Sequence, residues 1–217
     1  ALLLCCKDCN NERGNMKFID YLVSIAPEHE TVLFVKQIPK PDLFHKDGAQ
    51  QCAWPAYLPT KYDKKGAWYC NTASFIINRF KDGKPSASAT NCELVAFLVL
   101  DDVGTKSKTP EIAPTWIMET SPNNYQYGYT FSLDDQPTKG DFSAAIKAIA
   151  DAGYTDGGAI NPVRNFRLPD SVNLKPGRDN FKSVLVKFNP ELEFTLPQIC
   201  EALGVTPCEA DTATVKR

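Results

Sequence analysis

The sequence predicts an α+β fold, with helices and strands interspersed and no regular βαβ alternation, and three observations predict it. Helical periodicity with capping residues recurs in three separate places, β-branched or alternating apolar runs fill the intervals, and no segment repeats another. A length of 217 residues suits one domain with a real hydrophobic core. The composition, 43% hydrophobic and 23% charged, excludes a disordered, collagen-like or coiled-coil chain.

Taken in order, Asn15 can cap a helix whose Met16, Phe18, Tyr21, Leu22 and Ile25 share one side, ended by Pro27. Thr31 to Ile38 is β-branched and apolar and reads as a strand. Pro39 to Lys65, rich in Pro, Gly and charge, reads as a long loop decorated by Trp54, Tyr57 and Tyr62. Ala67 to Phe80 resumes strand character before the turn Lys81-Asp82-Gly83-Lys84. Leu94 to Leu100 is purely apolar, as in a strand buried on both faces, and stops at Asp101-Asp102. That run is the longest of its kind and far short of the roughly 20 residues that cross a bilayer, so no membrane partner follows.

Trp116 to Thr120 is a short strand leading into Ser121-Pro122-Asn123-Asn124. Tyr125, Tyr127, Tyr129 and Phe131 then recur with period two, which places them on one face of a strand. Asp141 can cap a helix that lines up Phe142, Ala145, Ile146 and Ile149, with Gly153 as its stop. Gly157-Gly158 and Pro162 mark a turn region, and Ser183 to Phe188 is a strand. Thr195-x-x-Gln198 is a capping box opening a final short helix that ends at Gly204.

With 24 Lys+Arg against 26 Asp+Glu the net charge is -2, which taken alone disfavours a nucleic-acid partner. Ala1 to Cys6 is apolar but too short for a signal-peptide core, and the chain, beginning without Met, reads as a fragment of a soluble, unexported, cytoplasmic protein. The 8 cysteines, at 5, 6, 9, 52, 70, 92, 200 and 208, are diluted along the chain and read as reduced thiols. Cys6 and Cys9 form a lone CxxC with no second pair to close a zinc site, so they read as incidental thiols of a terminal tail. There is no GxxxxGK[ST], GxGxxG or GxSxG, and the 2 histidines, His29 and His45, have no metal-ligand spacing.

Two clusters carry possible chemistry. Asp101 and Asp102 concentrate negative charge at the end of a stiff strand, where hard cations are held by one or two carboxylates plus substrate phosphates. Neighbouring side chains on a regular strand point to opposite faces, so both reach one metal only if the chain bulges there. The pair equally suits solvated acids that end a strand. Downstream, Asn161 to Phe188 holds six basic residues, Arg164, Arg167, Lys175, Arg178, Lys182 and Lys187, against Asp170 and Asp179, and so nets +4. It reads as a phosphate-binding surface or as a solvated charged face.

Three segments in order, Leu98-Val-Leu-Asp-Asp-Val-Gly-Thr-Lys106, Glu119-Thr-Ser-Pro-Asn-Asn-Tyr-Gln126 and Asn165-Phe-Arg-Leu-Pro-Asp-Ser-Val-Asn-Leu-Lys175, resemble the RepB-like primase-polymerase domains of phages and plasmids, members of the archaeo-eukaryotic primase superfamily. The match covers roughly Ala89 to Val205. It implies one catalytic domain over 1–217: an N-terminal α/β portion to residue 88, an α+β core with an RRM-like mixed or antiparallel sheet over 89–205, and a tail. It implies template-directed nucleotidyl transfer, as a DNA primase, a DNA polymerase or both, in phage or plasmid replication within the host cytosol. It further implies a two-metal Mg²⁺ or Mn²⁺ site, nucleoside triphosphates, a single-stranded DNA template and a helicase domain elsewhere.

By the same resemblance Asp101 and Asp102 are catalytic metal ligands, with Asp156 as the completing carboxylate. Ser121, Asn124 and Gln126 line the incoming nucleotide, and Arg164, Arg167, Asn173 and Lys175 hold phosphates or template backbone. Trp54, Tyr57, Tyr62 and Trp68 either stack template bases or belong to the core. The chain departs from the superfamily in its adjacent aspartates, where Asp-x-Asp is common, and in having no His near residues 119 to 131. Asn123 and Asp170 stand where glycines are expected, and Asp170 puts an acid inside the phosphate-binding segment. These two departures suit the alternative of a non-catalytic, DNA-binding replication-initiation module of the same fold. A metal-dependent nuclease leaves the basic segment unexplained.

Overall fold

Phe18, Leu22 and Ile25, buried on one side of a helix, set the first element of the computed structural model, which describes residues 7–25, 31–38, 52–55, 66–76, 88–157 and 161–207. The helix α1, Lys7–Ile25, begins upstream of the expected cap. Asn15 lies inside it and donates its side-chain amide to Asp170 Oδ2 at 3.0 Å. Residues 7–14 contain no proline to stop the helix earlier, so it extends over the segment read as a tail.

Among the described residues ten strands follow: β1 Thr31–Ile38, β2 Cys52–Pro55, β3 Ala67–Ile76, β4 Cys92–Val95, β5 Phe97–Val103, β6 Trp116–Ser121, β7 Asn124–Phe131, β8 Asn165–Arg167, β9 Val184–Phe188 and β10 Glu193–Phe194. Helices α2, Lys139–Asp151, and α3, Leu196–Ala202, lie between and after them. One sheet runs β2-β1-β3-β4 with β8 also paired to β3, and the other runs β10-β7-β6-β9 with β5 also paired to β7. All pairings are antiparallel except β10 with β7, which is parallel.

The apolar run at 94–100 is two strands rather than one. Ala96 breaks it, accepting from Phe131 N–H at 3.0 Å while its own N–H donates to Thr72 O at 2.8 Å. The chain therefore leaves the first sheet after β4 and enters the second as β5. Both faces of β5 are covered: Leu98 and Leu100 join the core beneath α2 and α3, whereas Phe97 and Val99 join Phe18, Trp116 and Phe166 on the other side. That double burial is why the run is continuously apolar.

Tyr125, Tyr127, Tyr129 and Phe131 all pack against the same core cluster. Helix α2 buries Phe142, Ala145, Ile146 and Ile149 as their spacing predicts, but its cap is Thr138, whose hydroxyl accepts from Asp141 N–H at 3.1 Å. Asp141 instead occupies the first turn, where a carboxylate favours the helix dipole. Gly153, at φ 84°, stops the helix. The Thr195–Gln198 capping box forms in full. Cys70, Cys92 and Cys200 are buried free thiols, and burial pushes Cys70 up to about 12. Trp68 is a core side chain of β3, and β2 interrupts the predicted 39–65 loop; Tyr57, Tyr62, His29, His45 and Cys6 lie outside the described residues.

Candidate functional site

The acidic pair sits on a bulge. Along the β5–β7 ladder Leu100 pairs with Tyr127 and Val103 with Tyr125, so three steps on β5 match two on β7. Asp102 takes up the extra residue in a left-handed conformation, φ 57°. The strand does not stop at Leu100, and the bulge removes the strict alternation that separates neighbouring side chains: both aspartates line one polar cavity. Thr155 Oγ1 anchors the bulge by accepting from Asp101 N–H at 3.0 Å, and Asp101 Oδ1 accepts from Asp102 N–H at 2.9 Å.

The cavity encloses about 170 Å³, and its other walls come from both sheets. The β6–β7 hairpin contributes Thr120, Ser121, Asn124 and Gln126; the stretch through β8 contributes Arg164, Asn165 and Arg167; the following turn contributes Asn173, Lys175 and Arg178. Tyr69 enters from β3, because β3 pairs with β8 in the register Tyr69 to Arg167. Of the ten residues singled out from the sequence, nine converge here. Asp156 is exposed and does not line the cavity, although its neighbour Thr155 anchors Asp101. Among the described residues no group of three His, Cys, Asp or Glu side chains is placed to hold a metal.

Each charged group has a distinct environment. Arg164 Nη2 donates to Asp101 Oδ2 at 2.9 Å, while its buried Nη1 has no acceptor among the described residues. Lys106 Nζ donates to Asp102 Oδ2 at 2.7 Å. Burial pushes the Asp102 carboxyl up, but Lys106, Asn124 and Lys175 outweigh it and hold the group below the usual carboxylate range. Arg167 is only 5% exposed and lies 4.8 Å from the centre of the Tyr69 ring. Burial draws its guanidinium downward, with Tyr69 and Asp101 opposing. No carboxylate among the described residues forms an ion pair with it.

Three amides read as nucleotide or phosphate contacts are engaged with the protein. Gln126 Oε1 accepts from Arg167 N–H at 3.0 Å, fixing β8 against β7. Asn173 accepts from Arg167 Nη2 at 3.1 Å and donates to Thr120 O at 2.9 Å. They aim Arg167. Asn124 is likewise held, by Thr105 Oγ1 and Thr120 Oγ1. Tyr69, Thr120, Asn165 and Arg178 line the cavity beyond those singled out; Arg178 was visible in the basic window, and Thr120 and Asn165 stand inside the motif segments, but Tyr69 has no local signal.

The two glycine-like positions resolve in the same geometry. Asn123 has φ 61° and Asp170 φ 59°, both left-handed. Asn and Asp are the residues that tolerate this region best after glycine. Asp170 does not line the cavity; its carboxylate faces Asn15 of α1.

Asp101 and Asp102 give an oxygen-only donor set beside cations able to hold phosphate, which fits a hard divalent ion that takes one or two carboxylates and completes its shell from substrate. No protein-family model and no curated protein matches the sequence. Solved structures do. The archaeo-eukaryotic primase domain of the cyanophage S-2L primase-polymerase aligns at 13% identity, covering 88% of this chain and 97% of that one, with a TM-score of 0.56. The chain has a primase-polymerase fold. The catalytic domain of primase RepB′, solved in complex with initiator DNA, aligns at 14% identity over 88% of this chain and 93% of its own, TM-score 0.53. A structure of primase RepB′ aligns at 15% identity over 88% of this chain and 62% of its own, TM-score 0.54. The α+β class and the RepB-like primase core expected from the three motifs are those of this primase-polymerase fold.

Proposed function

We propose that this chain is a template-directed nucleotidyltransferase, a DNA primase or polymerase of phage or plasmid replication. The observation that carries the reading is the convergence of Asp101 and Asp102 with Arg164, Arg167 and Lys175 on one cavity from separate parts of the sequence. Phosphoryl transfer of this kind asks the protein mainly for positioning and charge neutralisation. Asp101 and Asp102 would hold Mg²⁺ or Mn²⁺, which when bound would supply Lewis acidity toward a primer 3′-hydroxyl and the leaving pyrophosphate. Arg164 Nη1 and Lys175 offer donors to the triphosphate, and Arg167, aimed by Gln126 and Asn173, adds a desolvated positive charge whose pull on phosphate is little screened. The template is single-stranded DNA, in line with the initiator DNA bound by the RepB′ neighbour. A helicase domain, in the same longer chain or separate, supplies that strand. As the completing carboxylate in this proposal, Asp156 would turn its side chain toward Asp101 and Asp102 when nucleotide and metal bind.

Asn123 and Asp170, the grounds for a non-catalytic module, are accounted for by backbone conformation. Incubation with a primed template, labelled deoxynucleotides and Mn²⁺ tests the activity. Asp101→Ala is expected to lower extension by about a thousandfold or more with an unchanged circular dichroism spectrum. Full extension by that variant, or none by the parent chain with either nucleotide type, rejects the proposal.

A further inference from the structure

A second groove shares no residue with the polar cavity. It encloses about 620 Å³ between the 3₁₀ turn Leu133–Asp135, the start of α2, helix α3 and residues 205–207. Ala144, Leu196, Cys200 and Val205 give it an apolar floor. Asp135, Asp141 and Glu201 stand in its walls, and no Lys or Arg among the described residues does. Lys139, at the start of α2, turns away and donates Nζ to Cys92 O at 3.0 Å. Leu133, on the adjoining turn, is 58% exposed.

Gln136, in the groove wall, donates its Nε2 to Ser132 O at 3.2 Å and so pins the turn that forms one edge of the groove.

We propose that this groove docks a segment of a partner protein in which an apolar side chain stands beside a Lys or Arg. The floor takes the apolar anchor and the three carboxylates select the cation. The same carboxylates repel phosphate, so the groove is not an extension of a nucleic-acid path. This proposal stands independently of the nucleotidyltransferase reading.

Random peptides of about twelve residues, displayed on phage and selected against the full chain, test it. The recovered sequences are expected to combine Leu, Ile or Phe with Lys or Arg. As synthetic peptides they are expected to bind Glu201→Lys and Asp135→Lys about tenfold more weakly than the parent chain, and Ala144→Arg more weakly still. Glu201 and Asp135 are exposed, so their exchange leaves the fold intact, which circular dichroism checks. Recovery of no binder, of peptides without cationic residues, or of peptides indifferent to these exchanges overturns the proposal. Self-association abolished by Glu201→Lys, or peptide binding tightened about tenfold by removing residues 208–217, assigns the groove to a second copy or to the chain's own segment and overturns the partner.

Discussion

Two residues that look like departures at the level of sequence are conservative at the level of backbone. Asn123 occupies the turn between β6 and β7 with φ 61°, where its N–H donates to Glu119 Oε1 at 2.9 Å. A left-handed residue other than Gly, Asn or Asp costs about 1–2 kcal/mol. Asn123→Gly is therefore expected to change stability by less than about 0.5 kcal/mol, and Asn123→Val to lower it by about 1–2 kcal/mol. Urea denaturation of both variants measures this; because the hydrogen bond to Glu119 comes from the backbone N–H and survives in both, equal losses would show that the Asn123 side chain, not the backbone conformation, selects Asn. Neither variant touches the cavity, so neither is expected to change nucleotide incorporation more than its stability loss dictates.

At the scale of elements, the second sheet depends on one close approach. Gly128 on β7 pairs with Trp116 on β6, and a Cβ at Gly128 would lie 1.9 Å from the Trp116 ring. Trp116 is fully buried between Phe18 and Phe166, with ring centroids at 5.6 and 4.9 Å, so it has no room to retreat. Gly128→Ala is expected to destabilise by about 3 kcal/mol, the upper end for overpacking, with reduced expression and a lower thermal midpoint. Because Trp116 and Phe166 touch, the strain reaches β8, and Arg167 lies one residue from Phe166. Nucleotide affinity in this variant is expected to fall along with stability. A stable, fully active Gly128→Ala would mean that β7 shifts freely against β6.

For the whole molecule, the net charge of -2 conceals a segregated distribution. Arg164, Arg167, Lys175 and Arg178 meet at one cavity, and the opposite sign gathers around a separate groove. On the proposed function, binding to single-stranded DNA would thus be confined to a few contacts. With four cations engaged, the logarithm of affinity is expected to fall against the logarithm of salt with a slope of about -3. Titration of a labelled oligonucleotide over a range of salt concentrations measures it. A slope twice as steep would reveal a diffuse basic surface in place of a single site.

Local patterns carried a large part of this molecule. The alternating rings of β7, the buried face of α2 and the Thr195 capping box are all written in spacing, because each depends on residues within two turns or one strand of one another. The acidic pair and the basic segment were legible as clusters of like charge. Their meeting was not: it needs the chain to change sheets at Ala96, a bulge to turn Asp102, and β8 to pair back with β3 so that Tyr69 stacks on Arg167. Those are contacts between residues as many as about a hundred positions apart, for which no local propensity exists. The partners of Gln126 and Asn173 were hidden for the same reason. Sequence shows two amides near a basic segment, whereas the fold gives each a hydrogen bond to Arg167.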